Sequence, residues 1–296
     1  MTLLNASGCL DALTAPEVAR TLDALVTKTI TPLPREGNPP VRIAETDFGM
    51  LNAIGLANPG RDRFLDEVLP RLRALEVPIW VSVGGFSATE YAETCAALDG
   101  ESIAAIELNL SCPNVDEAPE AAAEIVAACR VATRLTLYAK LSPAAPDVGE
   151  AARAVETAGA DGLSLVNTIR GLALDDRLQP VLAYGAGGYS GPAIRPIALA
   201  AVAAARRATA LPIVGMGGVS TGRDALELVA AGASAVALGT ILFADPDAPS
   251  RVRAELAEEL DRLGLPSLAE ARGLAHGTTA VPDDAKVLQK RHNVPA

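Results

Sequence analysis

Apolar residues recur along the chain in short runs: "LLNAS" (3–7), "LVTKTI" (25–30), "PIWVSV" (78–83), "AAIELNL" (104–110), "LTLYAKL" (135–141), "GLSLVN" (162–167), "PIVGMG" (212–217) and "AVALGT" (235–240). Runs of this kind suit strands that are covered on both faces. Between most of them lie helical patterns of suitable length, such as "RFLDEVLPRLRAL" (63–75), "ATEYAETCAAL" (88–98), "APEAAAEIVAACRVA" (118–132) and "GRDALELVAAG" (222–232). Strand and helix alternating eight times predict an α/β chain, a parallel (β/α)8 TIM barrel. Two insertions, 31–60 and 168–194, interrupt the alternation. Both follow strands at their C-terminal ends, the face on which such barrels gather their active sites. We expect one barrel domain over 1–265, followed by a C-terminal tail over 266–296.

Composition narrows what this barrel can do. The chain has 296 residues, half of them hydrophobic and only 3% aromatic, so its core is built from Ala, Val, Leu and Ile. A formal net charge of −11 disfavours nucleic acid and anionic lipid as partners. No apolar run reaches the ~18 residues of a spanning helix. The start, "MTLLNASGCL", has neither a basic region nor a long apolar one, and a cytoplasmic location is expected. Cys9, Cys95, Cys112 and Cys129 form no Cys-x-x-Cys pair, so no metal or iron–sulfur site is expected within the chain. Cys95 and Cys129 fall in Ala-rich helical patterns and read as small core residues. His276 and His292 both follow the last strong core signal, which argues against histidine acid–base chemistry.

The polar residues form a pattern once strand ends are marked. Lys28, Asn109, Lys140, Asn167, Gly217-Gly218 and Gly239-Thr240 end strands two and four through eight, so all converge on one mouth. A lone lysine there is ordinarily a solvated rim residue and a lone asparagine a turn former. Repetition at equivalent ends of different strands overrides that reading. "GMGGVSTGRDAL" (215–226) adds a strand, a Gly-rich turn and a helix start, an arrangement in which backbone N–H groups and a positive helix end can face an anion. "ALGT" (237–240) supplies a second glycine and a hydroxyl, as expected of the phosphate site that barrels form after strands seven and eight. The stretch "ELNLSCPNV" (107–115) concentrates Asn109, Ser111, Cys112 and Asn114 at the exit of strand four, a poor apolar core.

These segments resemble the class 1 dihydroorotate dehydrogenases. The resemblance rests on "NASG" (5–8), "TKTITPLPREGNPPVRIAET" (27–46), "GMLNAIGLANPG" (49–60), "LNLSCPN" (108–114), "AKLSP" (139–143), "VNTIRG" (166–171), "GGYSGPAIRP" (187–196), "GMGGVSTGRDAL" and "ALGT", in the family's order over nearly all of 3–263. "TKTIT" and "NAIGLANPG" look more like the NAD⁺-linked class 1B branch than the fumarate-using 1A branch. The resemblance implies an FMN flavoprotein that oxidises dihydroorotate to orotate in pyrimidine (UMP) synthesis, with Cys112 as the base. It also implies substrate contacts from Asn52, Ile54, Gly55, Leu56, Asn109, Asn114, Asn167 and Thr168. FMN would be held by Ala6, Ser7, Gly8, Lys28, Asn109, Lys140 and Gly191, and its phosphate by Gly217, Gly218, Gly239 and Thr240. A homodimer is implied, and in the 1B branch a heterotetramer with an electron-transfer subunit carrying FAD and a 2Fe–2S cluster.

Three departures stand out. The chain begins inside the first strand, without the family's short leading hairpin. "VDEA" follows Asn114 where relatives carry a longer lid, and Ala144-Ala145 follow "AKLSP" in place of an asparagine. Three alternatives therefore stay open: a 1A-like enzyme using fumarate, a dehydrogenase of another dihydropyrimidine, and a catalytically silent flavin-binding subunit. The second is disfavoured because such enzymes carry His where this chain has Asn114.

Overall fold

A computed structural model describes residues 2–110 and 119–277. Eight parallel strands form a ring: β1 (Thr2–Asn5), β2 (Leu25–Val26), β3 (Ile79–Val83), β4 (Ala105–Asn109), β5 (Leu137–Lys140), β6 (Gly162–Leu165), β7 (Ile213–Met216) and β8 (Ala235–Leu238). β8 pairs with β1 along its whole length, and a bridge between Leu4 and Ala24 completes the closure. That last seam is narrow, and a side chain reinforces it. The buried Asn5 amide donates to Val26 O at 2.7 Å and accepts from Val26 N at 2.8 Å, standing in for ladder bonds.

The observed strands fall within or beside the eight predicted runs, and most stop one to four residues earlier. Ala6-Ser7, Thr27–Ile30, Val166-Asn167, Gly217 and Gly239-Thr240 leave the ladder and form the mouth. Within the strands the period of two sorts side chains cleanly. Ile106, Leu108, Leu137 and Ala139 face outward into the large core beneath the helices, each 0% exposed. Leu4, Val26, Val214, Met216 and Ala237 fill the barrel interior against Trp80 and Tyr138. The two rings meet with centroids 4.3 Å apart, and Gly162 makes room for them, since a Cβ there would lie 2.3 Å from the Tyr138 ring. Burial pushes the Tyr138 phenol up to about 12.

A helix follows each strand: α1 (Pro16–Ala19), α2, α3 (Ala88–Leu98), α4 (Pro119–Ala132), α5 (Val148–Thr157), α6 (Arg195–Ala208), α7 (Gly222–Ala231) and α8 (Ala248–Leu263). α2 is not the regular helix its pattern predicts. It runs Arg61–Arg63, widens to a π turn over Phe64–Val68 and resumes over Leu69–Arg73. Pro70 is the physical reason, because it lacks the N–H that would continue the ladder. Beyond α8, Gly273 N–H donates to Val229 O and His276 Nε2 lies 2.8 Å from Ala231 O, so packing on α7 continues past residue 265. Among the described residues no helix is long and apolar enough to cross a membrane.

The two insertions fold together. Their strands Ile43–Thr46, Gly49–Asn52, Gly187–Ser190 and Ile169–Gly171, in that spatial order, make one four-stranded antiparallel sheet. The sequence pattern marks each insertion but not their union. The strands are short and Gly-rich, and Asn52 and Gly188, which pair, lie 136 residues apart.

Candidate active site

The floor of the mouth is a continuous hydrogen-bonded network. Ser7 Oγ donates to Thr27 O at 3.0 Å and lies 3.2 Å from Thr29 Oγ1. Thr29 Oγ1 in turn meets Ser82 Oγ at 2.9 Å and accepts from Asn109 Nδ2 at 3.3 Å. Asn167 Nδ2 donates to Asn109 Oδ1 at 3.0 Å, while Asn167 Oδ1 accepts from Thr168 N at 2.8 Å. Residues within β3 and β4 and just beyond the ends of β1, β2 and β6 thus hold one another in place across the opening. Thr29 is the node of this network and Ser82 its second anchor. Neither was singled out from sequence, because an isolated hydroxyl on a strand carries no pattern of its own.

Beside the network sit the charged groups. Lys140, only 5% exposed, places Nζ 3.4 Å from Glu107 Oε1, itself 1% exposed. Lys28 comes close to the β1 exit, since a Cβ at Gly8 would lie 3.0 Å from Lys28 Cδ and 3.6 Å from Nζ. Cys9 reports the same convergence. Burial raises its thiol pKa, while Lys140 and then Lys28 pull it down and Glu107 adds to the rise. Both ammonium groups and the carboxylate therefore act on one small region of the cleft.

A second cluster spans the mouth and the antiparallel sheet. Asn52 donates its amide to Gly188 O at 3.2 Å, and Thr168 packs on the same glycine, where a Cβ would stand 2.2 Å from Thr168 Oγ1. Asn52, Asn109, Asn167 and Thr168 are brought together in this way. The turn Ile54-Gly55-Leu56 stands beside them, with Gly55 and Leu56 both left-handed at φ 72 and 58. Asn58, unremarked in the sequence, clamps that turn. Its Nδ2 donates to Leu56 O and to Thr31 Oγ1, both at 2.8 Å, and its Oδ1 accepts from Gly60 N at 2.8 Å. A left-handed leucine is costly, and such residues gather where a site must be shaped.

The glycine corner differs from its sequence reading. The positive end of α7 does not face outward as a free anion site. Asp224 Oδ2 accepts from Ser220 N and Thr221 N, each at 2.9 Å, and Glu255 Oε2 accepts from Gly222 N at 2.7 Å. The helix is closed by a capping box and by carboxylates, with Arg195 paired to Asp224. What stays open lies just upstream. The backbone N–H groups of Gly217, Gly218, Gly239 and Thr240 have no acceptor among the described residues. Gly217 and Gly218 sit at φ 117 and 78. A Cβ on Gly218 would come within 3.0 Å of Gly191 O and 2.9 Å of Arg195 N, so the fold alone already requires glycine there. Gly191, at φ 106, is pressed on Gly49 in the same way. Gly239 is different. A Cβ there would meet only Ala6 Cβ at 3.6 Å and Cys9 Sγ at 3.8 Å, ordinary contacts. Thr240 Oγ1 lies 2.9 Å from Ser190 Oγ and completes the corner.

Cys112 and Asn114 lie outside the described residues. Their loop leaves an anchored strand end, however. Tyr91, fully buried on α3, donates its hydroxyl to Asn109 O at 2.6 Å, and Leu110 N–H donates to Lys140 O at 3.2 Å. The site thus presents two lysines, a set of amides and an open glycine corner around one cleft. That arrangement suits a planar polar ring beside a phosphorylated cofactor. Among the described residues there is no group of three or more His, Cys, Asp or Glu side chains able to hold a metal ion.

Comparison with known proteins gives a consistent result. The family model described as dihydroorotate dehydrogenase matches residues 2–260. A protein of Desulforudis audaxviator, named dihydroorotate dehydrogenase B (NAD(+)), catalytic subunit, is 46% identical over 266 residues, covering 87% of each chain. Its namesake in Geobacillus kaustophilus is 42% identical over 292 residues, covering 94% of this chain and 93% of its own. That of Listeria monocytogenes serotype 4a is 44% identical over 260 residues, 85% and 86% of the two chains. Among solved structures, a dihydroorotate dehydrogenase of Eimeria tenella in complex with ferulenol superposes with a TM-score of 0.77 at 23% identity, over 94% of this chain and 86% of its own. At that identity the match shows the shared barrel fold.

Proposed function

The chain belongs to the dihydroorotate dehydrogenase family, and from that premise we propose that it is an FMN-dependent catalytic subunit oxidising dihydroorotate to orotate in pyrimidine synthesis. The observation that carries this reading is the convergence, at one barrel mouth, of the asparagine cluster, the Lys28–Lys140 pair and the open glycine corner. Relatives over most of this chain's length are named catalytic subunits of an NAD(+) enzyme, so the same reaction and a partner subunit are inferred here.

The residues fit a flavin. Lys140 has three N–H donors, of which one meets Glu107 among the described residues, and its buried ammonium suits the polar edge of a flavin. The N–H groups of Gly217, Gly218, Gly239 and Thr240 suit a phosphate. Ala6, Ser7 and Gly8 would border the ring, with Asn109, Lys28 and Lys140 toward its polar edge and Gly191 beside it. Asn52, Asn109, Asn114, Asn167 and Thr168, with the backbone of Ile54, Gly55 and Leu56, would hold the pyrimidine. A bound flavin would supply the acceptor for the hydride leaving substrate C6. The Cys112 thiolate would take the proton from C5, and the amide network, rigid before substrate arrives, keeps C5 turned toward it.

Anaerobic addition of dihydroorotate to the yellow protein should bleach its visible flavin absorbance and release orotate. A flavin that stays oxidised would overturn the substrate assignment. The phosphate corner has its own test. Gly239→Ala adds a methyl that meets only ordinary contacts within the protein, and it should bind FMN at least about tenfold more weakly as the methyl crowds the anion. Unchanged FMN affinity in a fluorescence titration would move the phosphate elsewhere. Gly218 is unsuitable for this purpose, since a side chain there strains the fold itself.

A further inference from the structure

We propose that Glu107 is a positioning residue for the flavin chemistry: it holds the Lys140 ammonium in the cleft and, through its own charge, restrains how readily the bound flavin is reduced. The inference rests on the flavin reading above and goes beyond it, to a residue that would touch neither substrate nor cofactor.

Glu107 sits in β4 two residues before Asn109, so both side chains face the barrel interior. It is 1% exposed in a layer otherwise filled by apolar and hydroxyl side chains. Its ion-pair partner among the described residues is Lys140, at 3.4 Å. The register makes this a directed contact. Asn109 pairs with Lys140 and Glu107 with Tyr138, so the ammonium reaches diagonally back along the strands to the carboxylate. A buried pair of this kind is a poor way to gain stability, because two apolar side chains of similar volume would serve the fold as well or better. Its place in the barrel centre, directly under the amide network, points to another use.

That use follows from charge. Lys140, Lys28 and Glu107 act on the same thiol, Cys9, and together place two positive charges and one negative charge in this part of the cleft. Reduction brings electrons to the bound ring, which the lysines favour and Glu107 opposes. With Glu107 present, the Lys140 ammonium is fixed in place and partly neutralised, so the flavin is reduced by substrate yet does not hold its electrons too tightly to pass them on. Glu107→Gln keeps the shape and a hydrogen-bond acceptor for Lys140 and removes the opposing charge.

The test is the midpoint potential of FMN bound to wild type, Glu107→Gln and Glu107→Asp, with FMN affinity and the melting temperature of the apoprotein measured alongside. Glu107→Gln should shift the reduced-to-oxidised ratio at fixed potential by at least tenfold toward reduced, an upward move of about 30 mV for a two-electron couple. Glu107→Asp, which keeps the charge, should return most of that shift while lowering FMN affinity. A potential unchanged in fully loaded Glu107→Gln, or a lowered melting temperature as the sole effect, would overturn the proposal. If Glu107→Gln cannot be purified, a Glu107→Asp potential raised as far as tenfold would overturn it equally, because the charge would then be irrelevant. A wild-type protein that takes up no FMN would overturn the site reading itself, a distinct failure seen before any variant is made.

Discussion

Cys112→Ala should retain FMN and be reduced by dihydroorotate about 100-fold more slowly or worse, the usual scale for losing a positioned base. That corresponds to about 2.7 kcal/mol of barrel-held transition-state stabilisation. The expectation rests on position and on chemistry. Cys112 follows the exit of β4 by three residues from Asn109, whose carbonyl is fixed by Tyr91 and whose amide is fixed by Thr29 and Asn167. A thiol with an ordinary pKa near 8.5 requires only modest tuning to accept a proton near neutrality. His276, the one histidine among the described residues, is buried against α7 on Ala231 O and has no role at the mouth. Single-turnover stopped-flow under anaerobic conditions measures the step directly. A Cys112→Ala protein reduced at the wild-type rate would show that another group removes the C5 proton. Loss of FMN from that variant would instead show that the residue belongs to the binding of the ring.

The second large effect concerns where the electrons go. The isolated chain, reduced by dihydroorotate, should form no NADH when NAD⁺ is added, and should do so at a sustained rate once a partner subunit carrying FAD and a 2Fe–2S cluster is supplied. The sequence has no Gly-x-Gly-x-x-Gly turn opening a helix of a Rossmann unit, and its four cysteines do not form an iron–sulfur spacing. Relatives that share most of this chain's length carry NAD(+) and catalytic subunit in one name, which divides the work between chains. Stopped-flow reoxidation with NAD⁺ alone, with NAD⁺ and partner, and with fumarate separates the cases. Rapid reoxidation by fumarate alone would place the protein with the fumarate-using branch, and NADH formed without a partner would remove the need for a second subunit.

The glycine corner shows how the fold can require a residue for a reason its sequence context does not give. Gly217 and Gly218 read as an anion loop because they precede a helix start. In the structure that helix start is filled by Asp224 and Glu255, and Gly218 is demanded by the backbone of Gly191 and Arg195. At Gly239 an added Cβ meets only ordinary contacts, and it is therefore the more informative position to change. Glu107 is the converse. As a sequence letter it is one carboxylate within "AAIELNL", and only the facing strand supplies Lys140 and turns it into a paired charge inside the barrel.

The sequence by itself determined the architecture and the mouth. Eight buried runs separated by helices leave the parallel barrel as the arrangement that covers every strand on both faces, and period-two alternation then fixes which side chains point inward. Because Lys28, Asn109, Lys140, Asn167 and the two glycine pairs are tied to strand ends, their convergence followed from local order along the chain. The tertiary structure alone decided the rest. The union of two insertions into one antiparallel sheet joins residues 136 apart, Asn52 and Gly188, with no shared local pattern to announce it. Thr29, Ser82 and Asn58 acquire their roles only from the amides and hydroxyls opposite them. Hydrogen bonds and ion pairs depend on distance and angle between groups far apart along the chain, and linear spacing does not encode either.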